Sequence, residues 1–122
     1  MGVVGVDVLL CGRKGCKYVV ARVDTGADAV LIPRDIWDEI EPEPTGIKRR
    51  FDVVKGGGVI YDVYRVKIEY VDKDGVRRVA EAEAIKSDTM IPSLSVEAME
   101  KLRLAVDPVK REVVEKPYIF KA

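Results

Sequence analysis

The chain has one tripeptide with the make-up of a catalytic loop, Asp24-Thr25-Gly26. The largely apolar run Val19 to Val23 leads into it. Ala27 and Asp28 follow, and a second apolar run, Ala29-Val30-Leu31-Ile32, resumes at once. An aspartate at a strand end commonly does no more than cage backbone amides in a turn. Here the carboxylate is pinned between two buried segments on a tight loop, and Gly26 and Ala27 leave room for a backbone or a substrate to come close. A carboxylate held that way can act as a general base or a general acid. Histidine is absent from the chain. That closes off Ser–His–Asp and Cys–His catalysis and the zinc sites built on histidine. Chemistry must come from carboxylates, lysines, cysteines or tyrosines, and neither a metal nor a cofactor is expected.

Other chemical signals are weaker. Gly56-Gly57-Gly58 could cradle a phosphate, but such loops open a helix, whereas a strand follows here, so a hairpin tip fits better. Asp72-Lys73-Asp74-Gly75 resembles a fragment of a calcium loop without the later ligands, and reads as a hairpin turn. Aspartyl-phosphate enzymes carry a second acid two residues after the aspartate, where this chain has Gly26. Cys11 and Cys16 flank a four-residue turn. They are either ordinary strand residues or a cross-turn disulfide.

The elements around these residues are mostly short strands. Val3 to Leu10 and Lys17 to Val23 form an opening hairpin around Gly12 to Gly15. Pro33 starts a short helix to about Ile40, with Ile36, Trp37 and Ile40 inward. Glu41 to Gly46 reads as a loop. Phe51 to Val54 is a strand, Lys55 to Gly58 a hairpin tip, and Val59 to Val71 a long return strand with Ile60, Tyr64, Val66, Ile68 and Tyr70 on one side. Val76 to Ile85 is another strand. Ser95 caps a helix to Leu102 whose face carries Val96, Met99 and Leu102. Asp107 to Lys110 turns between two short strands. The fold class is therefore all-β, mainly β with two short helices, as one domain over residues 1–122.

Composition narrows the setting. Lys plus Arg and Asp plus Glu both number 21, so formal charge is zero and a nucleic-acid partner is not expected. Ile47-Lys48-Arg49-Arg50 reads as the solvated face of a strand. No apolar run reaches membrane-spanning length, so no membrane partner is expected, and the N-terminus lacks the look of a signal peptide. A cytoplasmic location is the expectation. Asparagine and glutamine are missing while charged residues abound, which points to a hyperthermophile. In that group an internal disulfide is not out of place.

The segment "VDTGADAVLIP" resembles the active-site segment of retroviral-type, retropepsin-like aspartic peptidases. The stretch "RRFDVVKGGGVIYDVYRVKIEYVD" is similar to the flap of that family, a hairpin with a glycine tip and a long return strand. "SLSVEAMEKLRLAVDPVKREVV" resembles the segment that follows. Together these span roughly residues 3 to 115, and the likeness is strongest to the small stand-alone prokaryotic or archaeal members. The resemblance implies a closed β-barrel with one lobe per chain. It implies that Asp24 is the catalytic aspartate and that Thr25, with Gly26 and Ala27 in the same loop, grips the second copy. It further implies that Gly26 and Asp28 hold the substrate backbone and that Gly56, Gly57 and Gly58 form the flap tip over it. Two positions depart from the family pattern: Ser95 stands at a usual glycine, and Val96 stands where viral members keep an arginine.

The chemistry then requires a dimer. Hydrolysis of a peptide bond without a covalent intermediate needs a base for the water and an acid for the leaving amine. Two nearby carboxylates cannot both ionise easily, so a pair supplies both roles. One motif per chain means that a two-fold partner must bring the second aspartate. The expected function is a homodimeric aspartic endopeptidase acting on peptide or protein substrates. The alternative is a catalytically weak or inactive dimeric module that binds peptides on the same fold, and Ser95 is the feature that favours it.

Overall fold

The computed structural model describes residues 4–53 and 57–118. Strands β1 (Gly5–Cys11) and β2 (Cys16–Val23) form an antiparallel hairpin, with Val6 opposite Ala21 and Cys11 opposite Cys16. Alternation sets the faces: Val6, Val8 and Leu10 are buried, and Tyr18 and Val20 on β2 point outward. A disulfide joins Cys11 to Cys16 across the turn, with their Cα atoms 4.0 Å apart. The turn also seals a helix. Arg13 N–H donates to Glu41 O at 2.7 Å and Lys14 N–H to Ile40 O at 2.9 Å, which satisfies carbonyls left over at the helix end.

That helix, α1 (Arg34–Ile40), follows strand β3 (Val30–Pro33), and Pro33 occupies the position just before its first turn. Ile36, Trp37 and Ile40 are its buried residues, as the spacing predicts. Trp37 meets Tyr64 edge-on at 4.7 Å between ring centroids.

The next hairpin differs from the sequence expectation. Strand β4 runs from Glu43 to Val53, so Glu43 to Gly46 are strand rather than loop. A break in register between Pro44 and Ile47 accommodates the proline, and β4 is an edge strand, where a missing N–H costs no ladder bond. Thr45 replaces lost pairing: its hydroxyl donates to Val63 O at 2.6 Å and accepts from Ile47 N–H at 3.1 Å. Strand β5 (Gly57–Val71) starts two residues earlier than expected. Gly57 and Gly58 therefore belong to the strand, opposite Val53 and Asp52, rather than to the tip. Gly56 lies outside the described residues. Further along β5, Val66 and Ile68 enter the core while Tyr64 and Tyr70 pack against it, but Ile60, on the outlying part of the strand, is exposed.

Strands β6 (Arg77–Ser87) and β7 (Ser93–Leu94), helix α2 (Val96–Lys101) and the hairpin β8 (Leu104–Asp107) with β9 (Glu112–Glu115) complete the chain. The large sheet has the order β1-β2-β7-β3-β6-β5-β4, and β1 also pairs with β5. The pairing thus returns from β5 to β1 and closes a ring around the core, with β4 attached outside it. Fully buried Leu10, Ile32, Ile40, Ile68, Leu94 and Leu102 fill that core. No described helix is long and apolar enough to cross a membrane.

A buried ion pair ties the far end. Arg78 Nε donates to Asp72 Oδ2 at 3.0 Å, and Arg78 Nη1 reaches the carbonyls of Leu102 and Arg103 at 3.2 and 2.9 Å. Burial pushes the Asp72 carboxyl up, but the backbone amides of Val76 and Asp74 and the Arg78 guanidinium outweigh this and hold it below the usual carboxylate range.

Candidate active site

Strand β2 ends at Val23 and delivers Asp24 onto a loop fastened at both sides. Asp24 N–H donates to Leu94 O at 3.0 Å, and Val96 N–H donates to Ala27 O at 3.3 Å. The loop closes on itself through Ala27 N–H to Asp24 O at 3.1 Å. Gly26 N–H donates to Asp24 Oδ1 at 3.1 Å and fixes the carboxylate. Asp24, Thr25, Gly26 and Asp28 are all exposed, while Ala29 and Val30 just beyond them are buried. The sequence pattern of a polar loop between apolar segments thus becomes an open carboxylate on a rigid mount.

Ser95 sits between the two fastening bonds and is fully buried. Its side chain does not crowd the loop. Ser95 Oγ accepts from Ala98 N–H at 3.3 Å and caps α2. A Cβ added to Gly26 would meet only Asp24 Oδ1, at 3.5 Å, an ordinary contact. Among the described residues, then, no contact demands a glycine at position 26. Val96, expected on the inner face of α2, is partly exposed instead, whereas Met99 and Leu102 are buried.

Two hollows flank the loop. A cleft of about 640 Å³ has Asp24, Gly26, Ala27 and Asp28 at its edge. Its floor comes from Ala29 and Leu31 of the β3 region and from Ile85, Lys86 and Ser87 of β6, and its roof from Arg50, Phe51, Asp52 and Tyr61 of the β4–β5 hairpin. Phe51 and Tyr61 meet edge-on with centroids 5.8 Å apart. On the other side, a hollow of about 350 Å³ touches Thr25 and is lined mainly by apolar groups, among them Val4, Val23, Val96, Met99, Val106 and Pro108.

The structure brings Asp24, Gly26, Ala27 and Asp28 together at the cleft and turns Thr25 toward the apolar hollow. Gly57 and Gly58 lie on the hairpin, outside the residues that line the cleft. The roof and floor residues were not legible as site residues, because strands far apart in sequence contribute them; Ala29 and Leu31 lie in the apolar run after the loop, which gave no sign that they line a cleft. Among the described residues no group of acids or cysteines is arranged to hold a metal ion.

No family model and no curated protein matches the sequence. Solved structures do match. The chain is similar to the EIAV protease, solved in complex with an inhibitor, at 15% identity and a TM-score of 0.51, over 83% of this chain and 88% of that one. It is also similar to the protease of a simian foamy virus, at 18% identity and a TM-score of 0.54, over 80% of this chain and 93% of the other. At these identities the likeness concerns the fold.

Proposed function

The chain has a retropepsin-like fold, that of retroviral proteases, and from that premise we propose that it is one half of a homodimeric aspartic endopeptidase. The observation that carries this reading is Asp24 itself: an exposed carboxylate, oriented by Gly26 N–H, on a loop fastened at both ends beside a roofed cleft. A carboxylate serving only to stabilise a turn would have no reason to face such a cleft.

In this reading two copies of Asp24 meet across a two-fold axis. One carboxylate takes a proton from water as the water attacks the peptide carbonyl, and the other protonates the departing amine. Asp28 and Gly26 hold the substrate backbone, and the β4–β5 hairpin closes as a flap. Thr25 has no hydrogen-bond partner among the described residues, and its place in the reading is to grip the partner loop. The apolar hollow beside it favours the same assembly, since a second copy would cover Val96 and Val106 there. The rival module that binds without cutting drew on Ser95, and a serine that caps α2 leaves the loop undisturbed. The enzyme is read as cytoplasmic and from a hyperthermophile, a setting compatible with the disulfide.

The test is digestion of a diverse peptide library by wild type and Asp24→Ala side by side. Cleavage by wild type alone supports the proposal, and cleavage by neither or by both contradicts it.

A further inference from the structure

Lys48, Arg49 and Arg50 are three consecutive cations on β4, and they have different fates. Lys48 Nζ pairs with Asp62 at 3.1 Å, and Arg49 Nη1 pairs with Glu83 at 2.9 Å. Arg50 has no ion pair or hydrogen bond among the described residues, yet it is the member of the three that lines the cleft. Arg50 lies across Gly58 on the neighbouring strand, so close that a Cβ built at Gly58 would fall 2.5 Å from both its Cγ and its Cδ. The glycine, with no Cβ of its own, leaves room for the arginine stem to lie over it.

The cleft's other charges do not neutralise it. Asp24 is held by Gly26 N–H, and Asp28 stands beside it on the loop, where the main chain of a substrate would pass. Asp52 is two residues from Arg50 on the same strand but does not pair with it. Lys86, on the floor, places its Nζ 5.5 Å from the centroid of the Trp37 ring. An unpaired guanidinium with five donors at a cleft wall suits one ligand chemistry best, a carboxylate gripped by two parallel N–H bonds.

We propose that Arg50 is a specificity-determining residue of the cleft, selecting peptides with a glutamate or aspartate side chain close to the bond at Asp24. This rests on the proteolytic reading for the cutting step, but not for the binding step. Neighbouring Asp28 and Asp52 add to selectivity by repelling acids at other positions along the peptide.

The test has two arms. In the first, wild type, Arg50→Gln and Arg50→Glu digest a degenerate peptide library, with cut sites read by mass spectrometry. In the second, Asp24→Asn and the double variant Asp24→Asn/Arg50→Gln are titrated with fluorescein-labelled peptide pools. Each pool fixes Glu or Gln at one position in turn. A charge-assisted hydrogen bond in a wet cleft predicts about tenfold tighter binding of the best Glu pool than of its Gln counterpart. Arg50→Gln should bring that ratio to within about twofold, and Arg50→Glu should turn the cleavage preference toward Lys or Arg. Arg50 is exposed, so thermal melting should be unchanged and a lost preference cannot be ascribed to unfolding. Cleavage with no acid preference, or a preference that survives Arg50→Gln, overturns the proposal while leaving the peptidase intact. Arg50-dependent binding of Glu pools without any cleavage supports the role of Arg50 and removes the proteolytic reading instead. Absence of both cleavage and Arg50-dependent binding overturns both.

Discussion

Ser95 Oγ accepts a hydrogen bond from Ala98 N–H at 3.3 Å, and this one contact gives the buried serine a structural role of its own. The hydroxyl is turned into the first turn of α2 and away from the loop of Asp24. The backbone on either side continues to fasten that loop through Leu94 O and Val96 N–H. A helix cap and the fastening of the Asp24 loop thus share three consecutive positions, Leu94 to Val96.

Ser95→Ala should therefore cost stability and spare activity. Loss of an N-cap acceptor costs about 1 kcal/mol. Chemical denaturation should show that loss, with kcat/KM on any cleaved peptide changed less than about threefold. A large fall in activity at unchanged stability would mean that Ser95 takes part in the site.

Gly12→Ala should be among the most damaging small substitutions. The added Cβ would lie 2.3 Å from Ile40 O and 2.5 Å from Glu41 O, both backbone atoms at the end of α1. Neither can move without breaking the bonds from Arg13 and Lys14 to the same carbonyls. A loss of about 2 kcal/mol or more is expected in a urea melt. Gly58→Ala offers the contrast, because the atoms in its way belong to the flexible stem of Arg50. It should leave the melt nearly unchanged.

Reduction of the disulfide should lower stability without unfolding the protein. Closing so short a loop is worth roughly 2 kcal/mol by chain entropy. Thermal melts with and without dithiothreitol, alongside the Cys11→Ser/Cys16→Ser variant, measure it. Two free thiols in the untreated protein would show that the bond does not form.

Stability should fall in acid because of Asp72. Its folded carboxyl titrates below its unfolded value, so its contribution is complete above roughly pH 4. The contribution is lost as pH drops through the lower folded value, when Arg78 loses its buried partner. In Asp72→Asn this part of the acid dependence should disappear. At the other extreme, burial and the Glu115 carboxylate, which accepts from its hydroxyl, push the Tyr70 phenol up to about 12. Its contribution is present below pH 10 and fades between there and about 12. Tyr70→Phe should flatten that alkaline loss in a pH series of urea midpoints.

Local patterns carried much of this architecture. The Asp24 loop, the Ser95 cap and the inward face of α1 depend on residues a few positions apart, and they could be read directly. Strand β4 could not, because Glu43-Pro44-Thr45-Gly46 has the composition of a loop. It becomes strand only because Val63, 18 residues on from Thr45, accepts the threonine hydroxyl and the edge position tolerates the proline. The run Ile47-Lys48-Arg49-Arg50 was expected to be the solvated face of a strand, and all four residues are exposed on β4. Partners on β5 and β6 separate its members, and the sequence does not announce those partners. The cleft was hidden for the same reason: its floor and roof meet only once the ring closes.

The most direct measurement is peptide cleavage by Asp24→Asn beside wild type, across roughly pH 3 to 8, with light scattering on both proteins. The amide keeps the shape of the carboxylate and an oxygen for Gly26 N–H, so both proteins should be dimers at micromolar concentration. Wild type should cleave with an optimum on the acidic side of neutrality, falling away on both flanks as the shared proton is gained or lost. Asp24→Asn should be slower by at least about a hundredfold, the lower bound for removing a general base. A dimeric Asp24→Asn that cleaves at the wild-type rate, or a wild type that is monomeric while it cleaves, would contradict a catalytic pair of Asp24 carboxylates.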